Sequence, residues 1–269
     1  MVLKKIIKKI DKIVFFGFFK LIFIKFIFKK QNYQNRNYLK RFEYNYLNYY
    51  NYKNTLLSKL ADKYGTDKGY YNIKNRIFYN NWHPHNYTDY YSSLFDHTRE
   101  NIRKVFECGI GTNNQELPSS MGKQYLPGSS LRMWRDYFFN AEIYGADIDQ
   151  NILFEDLRIK TFHVNQLSKA SIEKMWDNIK VDNFDLIVDD GLHTFDAAVT
   201  LFNNSFSKIK NGGIYIIEDV DPSYLNDLCS YLQNKYDIEV IILKSINRKL
   251  LRDNNLIIVR KNINYINSN

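Results

Sequence analysis

From about residue 100 onward the chain alternates short apolar runs with amphipathic segments. That alternation leaves one main option, parallel βαβ units wound into a sheet covered on both faces. Strands are expected at 104–108, 142–146, 160–164, 184–188, 214–217, 239–243 and 256–259, and helices near 130–138, 169–179, 194–209 and 224–236. The last two strands are joined by about a dozen residues that include Asn247, Asp253, Asn254 and Asn255, without a crossover helix. An antiparallel final pair is therefore permitted. The expected fold is α/β: a doubly wound, mostly parallel seven-stranded sheet with one reversed strand.

Ligands of such sheets bind beyond the carboxyl ends of the strands. Those ends are where this chain places its acids and glycines. The first ends in Glu107-Cys108-Gly109-Ile110-Gly111, the second in Asp147-Ile148-Asp149, the fourth in Asp189-Asp190-Gly191 and the fifth in Glu218-Asp219. Gly109 and Gly111 let the backbone turn tightly and approach a ligand, and an acid such as Asp147 can accept from ribose hydroxyls. The pattern suits a nucleoside cofactor. A dinucleotide motif would need a third glycine, but position 114 is Asn.

The sharper constellation is Asp189-Asp190-Gly191-Leu192-His193 with Glu218-Asp219. Adjacent parallel strands lie about 4.8 Å apart, so both acidic pairs would emerge at one edge. Carboxylates that close repel one another without a cation, and oxygen donors alone suit a hard divalent ion such as Mg²⁺. Single Asp residues often cap helices, and Asp190 or Asp219 could do so; two acidic pairs with a histidine between them are harder to explain as caps. His193, at a helix start, can be aimed at whatever the metal holds, and imidazole is the natural proton acceptor near neutral pH. His83 and His85, in a Trp-His-Pro-His loop, are further candidates either for lining the pocket or for packing.

The formal net charge of the 269-residue chain is +9, but its location matters more than its size. Twelve of the 38 Lys and Arg residues and one of the 29 acids fall within residues 1–41, which leaves 26 bases against 28 acids in the remainder. The body has no general electrostatic means of gripping a phosphate backbone, so no nucleic-acid partner is expected. In the arm, Leu3, Ile6, Ile7, Ile10, Ile13 and Val14 have the spacing of an amphipathic helix, with lysines between them. Residues 13–28 are strongly apolar but would span only about 24 Å as a helix, short of a membrane core, and Lys20 and Lys25 interrupt them. Two readings follow: an in-plane helix on the anionic inner surface of the membrane, or a helix packed on the body or on a second copy in a homo-oligomer. Cys108 and Cys229 are too few for a disulfide scaffold and lack zinc spacing, which fits buried thiols in a reducing cytoplasm.

Five separated segments carry a family resemblance. Tyr64-Gly65-Thr66-Asp67-Lys68-Gly69, the stretch 127–138 that begins Pro127-Gly128-Ser129-Ser130, Tyr144-Gly145-Ala146-Asp147-Ile148-Asp149, Asp190-Gly191-Leu192-His193 and Glu218-Asp219 occur in that order. Together they resemble the metal-dependent class I S-adenosylmethionine methyltransferases that act on sugar hydroxyls, the macrocin and mycinamicin type. The match spans roughly 64–220. It implies that Glu107, Gly109, Gly111 and Asp147 hold the methionine and ribose parts of S-adenosylmethionine, with Ser130 nearby. It implies that Asp190, Glu218 and Asp219 bind Mg²⁺ and that His193 is the base acting on a sugar or glycan acceptor. After the third strand, where relatives often have Asp-Gln, this chain has Asn165-Gln166: the resemblance implies Gln166 at the cofactor, while Asn165 departs from the pattern at the adenine contact.

The expected organisation is a basic amphipathic arm at 1–30, a connector at 31–60, a lid or cap segment at 61–100 and a Rossmann-like methyltransferase domain at 101–263. A nicotinamide-dependent oxidoreductase on the same sheet class is disfavoured by Asn114, by the final hairpin and by the acidic cluster. A membrane-tethered scaffold with a dead enzyme fold is disfavoured by the retention of every expected catalytic group. A membrane-surface arm favours cytoplasmic work on surface polysaccharide.

Overall fold

The computed structural model describes residues 55–69, 85–233, 236, 238–242 and 253–261. The expected arm, the connector up to residue 54 and His83 lie outside the described residues.

Among the described residues eight strands form one sheet: β1 (Lys104–Cys108), β2 (Glu142–Asp147), β3 (Glu155–Asp156), β4 (Ile159–His163), β5 (Phe184–Asp189), β6 (Ile209–Ile217), β7 (Ile238–Ile242) and β8 (Asn255–Arg260). Their spatial order is β3-β4-β2-β1-β5-β6-β8-β7. The pairs among β4, β2, β1, β5 and β6 are parallel, while β8 runs antiparallel to both β6 and β7. The expected count of seven is corrected to eight by β3, which pairs antiparallel with β4. Its two residues are exposed and carry no apolar pattern that could announce a strand. The sixth strand begins at Ile209, not at 214. Lys210-Asn211-Gly212-Gly213 reads as a loop, but the chain passes through it with Gly212 at φ 78° and a register irregularity against β5, so the strand continues across a bulge.

Among the described residues six α-helices accompany the sheet: α1 (Leu56–Tyr64), α2 (Tyr87–Phe95), α3 (Ser129–Tyr137), α4 (Lys169–Ile179), α5 (Phe195–Ser205) and α6 (Leu225–Gln233). Their starts follow local chemistry. Thr55, Ser168 and Thr194 each accept a backbone N–H of the first turn through the side-chain oxygen. Gly65 ends α1 in the left-handed conformation at φ 76°. α1 runs through residue 60, where the connector was expected to end.

Both sheet faces are covered, so β1, β5 and the second half of β6 are buried continuously rather than at alternate residues. Side chains still alternate between faces. Val105, Leu186, Val188, Ile214 and Ile216 join a core with Leu57, Tyr91, Trp134 and Phe138 from α1, α2 and the α3 region. On the opposite face Phe106 packs on Trp176 of α4 at 4.7 Å and Tyr215 on Phe202 of α5 at 5.0 Å, centroid to centroid. Among the described residues no helix is long and apolar enough to cross a membrane.

β1 is flanked by β2 on one side and β5 on the other. The chain winds outward through β2 and β4 and then crosses back to β5. That makes the carboxyl ends of β1 and β5 the switch point, where an open sheet leaves a crevice.

Candidate active site at the switch point

A cavity of about 520 Å³ opens at these strand ends. Of the residues expected to hold a cofactor, Gly109, Gly111, Ser130, Asp147 and Gln166 line it. Gly109 has φ +88°, and a Cβ there would lie 1.9 Å from the backbone oxygen of Asp190. Gly111, at φ +80°, faces the Tyr125 ring, and a Cβ would meet it at 2.3 Å. Glycine is required at both places. Asp147 accepts the N–H of Ile110 and the N–H of Asp149, each at 2.9 Å, while burial pushes its carboxyl up. Gln166 accepts the N–H of Leu192 at 2.8 Å and donates to Asp189 at 2.6 Å, pinning the loop after β5 to the end of β4. Burial raises the Asp189 carboxyl to about 6.

Glu107 is placed differently from the expectation. It is fully buried and does not line the cavity. Its oxygens accept from Ser130 Oγ at 2.6 Å and from the Trp134 indole N–H, and Lys68 Nζ lies 3.5 Å away. The reason is strand parity. Glu107 shares the face of Val105, toward α3, and its role in this geometry is to hold Ser130 at the cavity wall.

The expected metal-binding acids divide in the same way. One oxygen each of Asp190 and Asp219 and a ring nitrogen of His193 lie within 4.8 Å of one another, and all three residues line the cavity. His193 Nδ1 is 3.5 Å from Asp219 Oδ2 and its Nε2 is 3.8 Å from Asp190 Oδ1. His193 and Asp219 sit at φ 55° and 52°, an uncommon conformation for residues other than glycine that concentrates at functional sites. Glu218 stands apart from the three. It shares the parity of Ile214 and Ile216, faces α2, and its oxygens accept from Tyr91 Oη and Lys68 Nζ, each at 2.5 Å.

Four residues that hold this site were not singled out from sequence as site residues or had no assigned role. Lys68, fully buried, also reaches Asp190 Oδ2 at 2.6 Å. Burial opposes its charge, but Asp190, Glu107 and Glu218 outweigh burial and hold the ammonium well above its usual range. Tyr87 donates to Asp219 Oδ1 at 2.5 Å, and Tyr91 to Glu218. Burial, reinforced by those carboxylates, keeps both phenols protonated. His85 is buried, stacks on Tyr87 at 4.5 Å and places Nε2 3.4 Å from Asp219 Oδ1, with its Nδ1 3.0 Å from Asn254 Oδ1. Burial disfavours its charge, yet Asp219, Asp67 and Asp253 raise its titration overall. His85 thus supports Asp219 from behind and does not line the cavity.

Each of Asp190 and Asp219 therefore has one oxygen anchored and one presented to the cavity beside an imidazole. That is a donor set for a hard divalent cation with coordination positions left for other oxygens. No protein-family model matches the chain. An 8-demethyl-8-alpha-L-rhamnosyl tetracenomycin-C 2'-O-methyltransferase of Streptomyces olivaceus is 31% identical over 168 residues, 62% of this chain and 38% of that protein. Over this stretch the chain is similar to sugar O-methyltransferases. A demethylmacrocin O-methyltransferase of Streptomyces fradiae is 32% identical over 142 residues, 52% of this chain and 33% of that protein. A mycinamicin VI 2''-O-methyltransferase of Micromonospora griseorubida is 30% identical over 168 residues, 62% of this chain and 37% of that protein. The match thus spans about a third of the length of these curated relatives, 33–38%. The fold is shared with the MycE methyltransferase from the mycinamycin biosynthetic pathway, solved in complex with Mg, SAH and mycinamycin VI, at a TM-score of 0.55 and 23% identity, over 81% of this chain and 57% of that one.

Proposed function

We propose that this protein is an S-adenosylmethionine- and Mg²⁺-dependent O-methyltransferase acting on a sugar hydroxyl. The observation that carries the reading is one cavity walled both by the Gly109–Gly111 turn with Asp147 and by Asp190, His193 and Asp219. A nucleoside and a hydroxyl acceptor can meet there. The curated relatives, named as methyltransferases of glycosylated macrolides and polyketides, support the sugar acceptor.

When bound, S-adenosylmethionine supplies an activated methyl group and Mg²⁺ supplies charge that favours ionisation of an acceptor hydroxyl. The chain does the rest. The glycine turn admits the cofactor close to the backbone, Asp147 presents oxygens for the ribose, and Gln166 and Ser130 fix the walls around it. Asp190 and Asp219 would hold the ion through their cavity-facing oxygens, while Glu218, the third expected ligand, is engaged by Tyr91 and Lys68 and would join only by leaving them. His193, beside Asp190 and Asp219 at the cavity wall, would accept the proton of the acceptor hydroxyl as that oxygen is methylated. Holding acceptor and methyl donor in line supplies a further large part of the acceleration.

The acceptor we favour is a sugar of a surface polysaccharide or other glycan, made on the cytoplasmic side of the membrane. Support for that placement is the sequence of the basic amphipathic arm at 1–30. Calorimetric titration with S-adenosylmethionine and, separately, with NAD tests the cofactor. Saturable binding of the first alone is expected, and binding of NAD alone would return the chain to the oxidoreductases.

A further inference from the structure

The Gly65–Gly69 segment after α1 brings Thr66 and Asp67 to the cavity wall and Lys68 to the acids, and the methyl-transfer scheme above gives Lys68 no task. Lys68 extends its ammonium between the ends of three strands, at 2.6 Å from Asp190 Oδ2, 2.5 Å from Glu218 Oε2 and 3.5 Å from Glu107 Oε1. The segment is fixed in place. The Lys68 carbonyl accepts the N–H of Thr88 at 3.1 Å, the Asp67 carbonyl accepts that of His85 at 2.7 Å, and Gly69 lies so close to Thr88 that a Cβ would overlap it. The lysine is therefore delivered to the acids by backbone geometry, not by a flexible loop.

We propose that Lys68 is the resident cation of this acidic centre and that a divalent ion binds there in competition with it. The inference rests on the metal-dependent reading of the site. Four carboxylates converge here, with Glu107, Glu218 and Asp219 buried and Asp190 half-buried at the cavity wall, and such a group is tolerable only with opposing charge. Lys68 supplies one positive charge permanently and satisfies one oxygen of Asp190 and one of Glu218. An ion drawing on those two residues meets carboxylates already partly neutralised, with Glu218 turned toward the lysine. Lys68 is thus a positioning residue with two effects. It makes the fold independent of metal, and it holds metal affinity down.

The test uses the full chain and MgCl₂ as the probe, with Lys68→Met and the milder Lys68→Gln, whose amide can still donate to one of the acids. Removing a unit charge a few Å from the ion should tighten Mg²⁺ binding about tenfold or more in calorimetry. The melting temperature in EDTA should fall in both variants and recover on addition of Mg²⁺, whereas the unmodified protein should respond little. If Lys68→Met folds only with Mg²⁺, that too supports the proposal, and Lys68→Gln then provides the affinity. Unchanged or weakened Mg²⁺ binding in Lys68→Gln, with the parent protein binding Mg²⁺ normally, overturns the proposal and leaves the methyltransferase reading intact. Failure of the parent protein to bind Mg²⁺ overturns the metal-dependent reading and the proposal with it.

Discussion

His193 Nδ1 lies 3.5 Å from Asp219 Oδ2, while the other oxygen of that carboxylate accepts the Tyr87 hydroxyl at 2.5 Å. One acid is thus shared between a rigid aromatic support and the proposed base. Replacing Tyr87 with Phe removes the support and preserves the ring. We expect a stability loss of about 1.5–3 kcal/mol, the usual worth of a hydrogen bond to a charged group. Mg²⁺ affinity should fall about tenfold, as for other lost partners of metal ligands, while affinity for S-adenosylmethionine is kept. Denaturant unfolding and calorimetry read the two effects separately.

His193→Ala removes the proton acceptor and leaves Asp190 and Asp219 in place. Turnover should fall about 10²–10⁴-fold. Binding of S-adenosylmethionine should change little. A variant that keeps full turnover would require the base to be found elsewhere.

Gly109→Ala tests the close approach of the first strand end to the loop after β5. Its Cβ would meet a backbone oxygen at 1.9 Å, which no rotamer change can relieve, at a φ of +88°. We expect loss of S-adenosylmethionine binding and a clear drop in melting temperature. Gly65→Ala is the control: its φ is +76° but nothing lies within 4 Å. It should cost about 1 kcal/mol and leave ligand binding alone.

Asp189 gives the fold a pH dependence. Its carboxyl, raised by burial to about 6, takes up a proton on folding between roughly pH 4 and pH 6. The folded state binds more protons than the unfolded one in that window, so this group's contribution to stability falls as pH rises through it and is flat above. Asp189→Asn keeps an acceptor for Gln166 and removes the buried charge. Relative to the parent, it should gain about 1–2 kcal/mol at pH 7.5 over what it shows at pH 4. The same difference at both pH values in urea unfolding would contradict this.

Much of this arrangement is legible in the sequence because strand ends announce themselves. Gly109, Gly111, Asp147, Asp190, His193 and Asp219 follow directly from apolar runs, and all line one cavity. What the apolar runs do not display is which acid of a pair faces which layer. Counting in twos along β1, β5 and β6 puts Glu107, Asp190 and Glu218 on the α1–α3 face, a signal available from residues 105, 186 and 214 onward. Lys68 is harder to see. It is separated from Asp190 by 122 positions and from Glu218 by 150, and nothing local marks a lysine in a loop as fully buried. Tyr87 and Tyr91 are hidden for the same reason, inside a helix whose aromatic richness reads as ordinary core. His85, by contrast, is visible as a candidate, but the sequence does not decide between lining the pocket and packing, and it packs behind Asp219. The exposed β3 and the glycine-bulged start of β6 lack the apolar periodicity on which strand recognition depends.

The central claim is that one cavity brings a methyl donor and a metal-held sugar hydroxyl together. Transfer of a labelled methyl group from S-adenosylmethionine to a panel of glycosides and nucleotide sugars, with Mg²⁺ and again with EDTA, tests it most directly. The account predicts transfer to a sugar hydroxyl with Mg²⁺, its loss in EDTA, and calorimetric binding of S-adenosylmethionine that survives the chelator. Undiminished transfer in EDTA, or a bound donor whose methyl reaches no sugar in the panel, would contradict it.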